Sequence, residues 1–289
     1  MFGRTHRIQW ITLSALVALG GTACSSDTTG PEPEPAAFLA ADGVNGGRMY
    51  DKFWAAETRF NLADPNISFF KARSDFFRCK QCHGWDRLGS GGAYINRGPR
   101  SSRPNISSVN LAAVAEAKSP QALFDAIKNG NGRRSPTVDL SAYNPATNFT
   151  VGDQMPDYGQ ILSDAQIWEL VKFLKNEAFD TSDLYDSQVS GSYPTGTITF
   201  SNIGRDGDAE RGDVIFSQSC SFCHGFNGTS IQVDGGAFTV GRHLRTKPYE
   251  DVHKIRFGQL GSSMPNTTLT LSQMKDLYKA LANATRYPD

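Results

Sequence analysis

The sequence predicts a mainly α-helical protein built from two small units in tandem. Three observations carry that expectation. A pentapeptide of one pattern occurs twice, as Cys79-Lys80-Gln81-Cys82-His83 and as Cys220-Ser221-Phe222-Cys223-His224. Each copy is followed by a Met-Pro pair, Met155-Pro156 and Met264-Pro265, and then by a stretch with helical apolar spacing. Strand-like runs are scarce, and only Thr197 to Phe200 reads as a short strand. Each half therefore runs helix, pentapeptide, loops, Met-Pro, helix, which is an internal repeat at low identity.

A Cys-x-x-Cys-His run reads as attachment of a c-type haem. Two thiols one helical turn apart can each add to one vinyl group of the same porphyrin. The next residue, histidine, then points its imidazole at the iron. The thioether candidates are Cys79, Cys82, Cys220 and Cys223, and the iron-ligating candidates His83 and His224. The rival readings are a redox dithiol and half of a zinc site. A dithiol does not need the histidine, and zinc would need two more ligands nearby. Of the five cysteines only Cys24 lies outside the motifs, so no thiol is spare for zinc or for a structural disulfide. The implied cofactors are two covalently attached haem c groups with their iron.

The chain of 289 residues has room for a signal, a linker and two small domains. With 29 basic and 29 acidic residues, its charge gives no pointer to nucleic acid or to a strongly charged partner.

The elements follow in order. Arg4, His6 and Arg7 make a basic start, and Ile8 to Leu19 is an apolar run too short to span a membrane. Gly21-Thr22-Ala23 offers small residues for cleavage directly before Cys24. This resembles a bacterial lipoprotein signal, in which the first mature cysteine is lipidated, except that Gly21 stands where a leucine is usual. The alternative is ordinary signal cleavage that leaves Cys24 as a free thiol. Residues 1–23 are thus expected to be a signal peptide and 24–40 a disordered tether, because Ser25 to Pro35 is polar, acidic and proline-rich. The expected location is the periplasmic or cell-surface side of a bacterial membrane, with a lipid on Cys24 as anchor.

The first unit is expected over 41–179. Gly46 to Trp54 starts an amphipathic helix, and Ala56 to Phe77 is a phenylalanine-rich insertion without clear period. Gly89 to Gly98 is loop, Leu111 to Ile127 is two short helices divided by Pro120, and Gly130 to Gln154 is a long loop. Ser163 reads as an N-cap for a helix whose buried face is Ile167, Leu170, Val171 and Leu174. Residues 180–207 are a largely irregular connector that packs across both units. The second unit is expected over 208–289. Helices are predicted from Glu210 towards Cys220, over Tyr249 to Phe257, and along Leu271, Met274, Leu277, Tyr278 and Leu281.

On these residues the chain resembles the class I cytochrome c family in tandem, outside the first forty residues and the connector. The resemblance implies two cytochrome c-like domains, each packed around one haem. It also implies Met155 and Met264 as second axial ligands, since the family uses a methionine often followed by proline. Gly212 and Phe216 look like the family's helix-crossing glycine and aromatic, with Leu277 and Tyr278 as their partners. Gly98-Pro99 looks like its proline that positions the proximal histidine. The insertion before the first motif and the long gap from His83 to Met155 depart from the family.

Met49 is expected in the core. His243 and His253 compete with Met264 as ligands, or sit at the surface or against a haem propionate. Arg242, Arg245, Lys247 and Arg256 read as propionate partners or as solvated surface. His/Met ligation leaves no open coordination position, so the expected function is a dihaem carrier of single electrons between redox protein partners outside the cytoplasmic membrane. The alternative is a haem enzyme, similar to thiosulfate dehydrogenases or haem peroxidases, or a gas or redox sensor. Either would need a displaceable ligand, Met155, at the first haem.

Overall fold

The computed structural model describes residues 33–55 and 65–289. The signal, Cys24 and most of the tether lie outside the described residues. The chain is mostly helical. In order, the helices are α1 (Ala36–Ala40), α2 (Gly43–Lys52), α3 (Pro65–Ala72), α4 (Cys79–His83), α5 (Leu111–Ala117), α6 (Pro120–Asn129), α7 (Thr150–Asp153) and α8 (Asp164–Lys172). Strands β1 (Asp186–Ser190) and β2 (Thr197–Ser201) follow as an antiparallel pair, with Gln188 opposite Thr199. Then come α9 (Ala209–Ser219), α10 (Ser221–His224), α11 (Val240–Thr246), α12 (Pro248–Phe257) and α13 (Leu271–Leu281). No described helix is long and apolar enough to cross a membrane.

Local chemistry sets the helix ends. Ser163 caps α8 in a reciprocal box with Gln166, and Thr270 does the same for α13 with Gln273. Pro120 stands in the first turn of α6 behind the cap Ser119, where its missing N–H costs nothing.

The two halves share one packing device. Helix α2 crosses α8 at Gly46, and a side chain there would overlap the carbonyl of Glu169. Helix α9 crosses α13 at Gly212, and a side chain there would overlap the carbonyl of Asp276. Four residues beyond each glycine comes a buried aromatic, Tyr50 and Phe216. The expected partners Leu277 and Tyr278 are fully buried in the same core as Phe216, and the glycine itself meets Asp276 and Ala280.

Two features correct the sequence reading of the boundaries. The tether ends before residue 40, because Phe38 on α1 is 1% exposed and packs edge-on against Trp168 at 6.3 Å. The second span is also not a separate body: Glu34 to Asp289 is one compact unit. Phe257 and Leu260 belong to the core that also holds Met49, Tyr50 and Phe173. Burying an aromatic of this size gains roughly 1.5–3 kcal/mol, enough to seat α12 in the first half. The connector joins both: Leu184 and Tyr185 lie in the second core, and Tyr193 packs against the cluster of Trp85, Tyr94 and Ile106.

The phenylalanine-rich insertion carries a helix that its lack of period did not announce. Phe70 of α3 packs on Phe77 at 4.8 Å and on Phe53 at 5.2 Å.

Candidate functional site

Helix α4 is one short turn, and three contacts hold it. Arg78, just before it, donates to the carbonyl of Asp51 at 2.8 Å and pairs with the Asp51 carboxylate. The Tyr50 hydroxyl donates to the Gly84 carbonyl at 2.7 Å. The Ser107 N–H donates to the Cys82 carbonyl at 2.8 Å. The chain turns away after His83 through Gly84 at φ 78°, and after His224 through Gly225 at φ 77°. Both glycines need this left-handed backbone, and in each case the glycine N–H returns to the residue after the first cysteine, Lys80 or Ser221. The two motifs thus end in the same local geometry.

Burial pushes the thiols of Cys79 and Cys82 up to about 11 and about 12, and that of Cys220 up to about 11. All four motif cysteines are unpaired. Burial also lowers His83 to about 4, with Arg133 adding repulsion, and lowers His224. Both imidazoles are therefore neutral near pH 7, the state an iron ligand requires. The Nδ1 of each is buried with no hydrogen-bond partner. Orphaned buried polar atoms are rare and mark a site completed by something else. Near the second motif in sequence, Phe222 is 99% exposed, and Phe226 and Ile231 are exposed. The residues at both motifs fit a covalently held haem. Among the described residues no group of three or more His, Cys, Asp or Glu side chains is gathered to hold a metal on its own, so zinc lacks its ligand set.

Met155 is half-buried against the same core that Cys79 packs on. The segment carrying it is clamped to the first motif by Arg134. The Arg134 N–H donates to the Met155 carbonyl at 3.1 Å, and its Nε to the Gln154 carbonyl at 2.9 Å. Its Nη2 donates to the carbonyl of Phe76, three residues before Cys79. On the far side of Met155 the Tyr158 hydroxyl donates to the Phe77 carbonyl at 2.7 Å and lies 4.0 Å from the Cys79 sulfur. Two residues before Met155, Asp153 accepts from the Asn105 N–H and side-chain amide at 2.9 and 2.6 Å, and from the Tyr143 hydroxyl at 2.8 Å. The stretch read as a long loop is thus fastened at several points.

Met264 is half-buried and lies outside the second core cluster. Its segment hangs on the end of α12: the Gln259 N–H donates to the Met264 carbonyl at 3.2 Å, and the Thr267 N–H to the Ile255 carbonyl at 3.0 Å. Hence the structure ties Met155 to the first motif, whereas Met264 is tied to α12.

His253 and His243 are not surface groups. His253 packs at a tilt against Trp85 at 4.6 Å, and His243 pairs with Asp251 at 2.9 Å. The basic residues read as propionate partners are engaged elsewhere: Arg245 with the Leu281 carbonyl and Asp289, Lys247 with Asp234, and Arg256 with Glu177. Sequence reading also missed Ser107, whose N–H reaches the Cys82 carbonyl. Beside Gly98, Arg97 donates to the Gln81 side chain of the first motif at 3.2 Å. Arg134, hidden among polar loop residues, gave no sequence signal. A buried arginine that serves backbone carbonyls has no local pattern.

The family model described as cytochrome c matches residues 70–177. The matched span contains the first Cys-x-x-Cys-His motif, Met155 and α8. The match supports a c-type cytochrome with covalently bound haem, and thus haem-based electron transfer in general terms. No curated protein matches the chain. No solved structure matches it.

Proposed function

We propose that the chain is a dihaem c-type cytochrome that carries single electrons between redox protein partners outside the cytoplasmic membrane. One observation carries this reading. Both motifs end in the same His-Gly turn, and each half has a helix crossing at a glycine followed four residues later by a buried aromatic. In this reading Cys79 and Cys82 hold the first haem, with His83 and Met155 at its iron. Cys220 and Cys223 hold the second, with His224 and Met264. The group supplies a one-electron couple at iron, and methionine favours the reduced form.

The protein's part is to hold neutral imidazoles, exclude water and fix the sulfur donors. Around the first motif this falls to Arg134, Asp153 and Tyr158, which fasten both sides of Met155. These bonds fix the backbone on both sides of Met155, and that rigidity favours the carrier reading over a haem enzyme or a gas sensor, either of which would depend on release of Met155. A signal peptide, a lipid on Cys24 and a place on the outer side of a bacterial membrane complete the proposal.

Spectra and redox titration of Met155→Ala and Met264→Ala test it. Each variant should lower one potential, open one iron per chain to carbon monoxide, and leave the other haem unchanged. If wild-type protein binds carbon monoxide stoichiometrically, the carrier reading fails. If Met155→Ala changes neither property, Met155 is not the ligand.

A further inference from the structure

A narrow cavity of about 10 Å³, measured as room for the centre of a water-sized sphere, lies where three segments meet. Trp85 and Arg87 come from the turn after the first motif, Phe173 and Thr181 from the run that leads from the end of the first half into the connector, and His253 and Arg256 from α12. Two of these side chains bring an unmet polar atom. His253 is 3% exposed, and its Nε2 has no hydrogen-bond partner. Arg256 spends its Nη2 on Glu177 at 2.8 Å, while its Nε is buried and without a partner.

The chemistry of the two atoms is complementary. Burial pushes His253 down to about 3, so the ring is neutral. In a neutral imidazole one nitrogen carries the proton and the other accepts, so with the proton on Nδ1 the Nε2 is an acceptor. Arg256 Nε–H can only donate. One molecule that both donates and accepts satisfies the two together. The cavity has room for about one water. The other polar groups on the wall are spoken for in part: Arg87 donates to the Phe179 carbonyl at 2.6 Å.

We propose that this cavity is the site of a single buried water molecule that donates to His253 Nε2, accepts from Arg256 Nε–H, and pins α12 to the first half. The site does not depend on the function proposed above. It explains how His253 keeps one nitrogen for hydrogen bonding while packed at a tilt against Trp85 at 4.6 Å and Phe257 at 4.8 Å.

A crystal structure of the full chain with its prosthetic groups attached, at a resolution that shows ordered solvent, tests the site. The expected result is one density peak at hydrogen-bonding distance, about 2.7–3.2 Å, from both His253 Nε2 and Arg256 Nε. In His253→Phe, which keeps an aromatic ring against Trp85 and Phe257, that peak should vanish. An empty cavity in the wild type overturns the proposal, as does a protein side chain or prosthetic-group atom on these two nitrogens. A peak that persists in His253→Phe overturns the role of His253. Should that variant not fold, the wild-type map still decides.

Discussion

Gly46 rests directly on the backbone carbonyl of Glu169, with no room for a side chain between the two helices. The close approach lets Asn45, its neighbour, donate to the Glu169 carboxylate at 2.7 Å. Gly46→Ala must push α2 away from α8, and overpacking of this kind costs about 1–3 kcal/mol. Gly212→Ala should cost a similar amount through Asp276. Denaturant unfolding curves check both, and an unchanged midpoint in either variant would contradict the close crossing.

Arg134→Met should loosen the segment around Met155. The substitution leaves the carbonyls of Phe76 and Gln154 without their charged donor. The loss is expected to be about 3 kcal/mol, from two hydrogen bonds to a charged group. Beyond lower stability, a measurable fraction of one iron per chain should open to carbon monoxide. A stable variant that stays closed to carbon monoxide would show that Arg134 does not hold Met155.

Acid should weaken the join between α12 and the first half. Asp51 is buried between Arg78 and Lys254, the latter at 3.3 Å. Burial alone would raise its carboxyl, but Lys254 and Arg78 outweigh it and hold it well below the ordinary 3.8. The folded-state value is thus the lower one. The stabilising contribution is fully present above about pH 4 and is lost as the pH falls through the folded value. Asp51→Asn leaves two buried cations unpaired and should cost about 3–5 kcal/mol near neutral pH. The gap between variant and wild type should narrow below pH 4. A gap that does not change with pH would contradict the ion-pair account.

Cys24→Ser should release the protein from membranes, because an acylated cysteine supplies most of the anchoring. Fractionation of wild-type cells into membrane and soluble parts checks this. Wild-type protein found wholly in the soluble part would contradict the lipid anchor.

Most of the helical frame was legible, since it rests on local signals. The Ser163 cap and the apolar face of Ile167, Leu170 and Val171 are visible at helical spacing, as is the face of Met274, Leu277 and Tyr278. The thioether and histidine candidates were legible because their spacing is itself the chemistry. What stayed hidden depends on distant packing. Nothing around His253 says that it leaves its own half to pack against Trp85. Phe70 and Phe77 carry no period, because the insertion packs through aromatic edges rather than along one helix stripe. Ser107 reaches Cys82 only once the intervening turns have folded back.

The central claim is that both Cys-x-x-Cys-His motifs carry haem, and a count of haem per chain tests it most directly. Haem iron is measured against protein concentration and intact mass for the wild type, for Cys79→Ala/Cys82→Ala and for Cys220→Ala/Cys223→Ala. The account predicts two covalent haems in the wild type and one in each double variant. One haem in the wild type, or a second-motif variant that loses none, would contradict it.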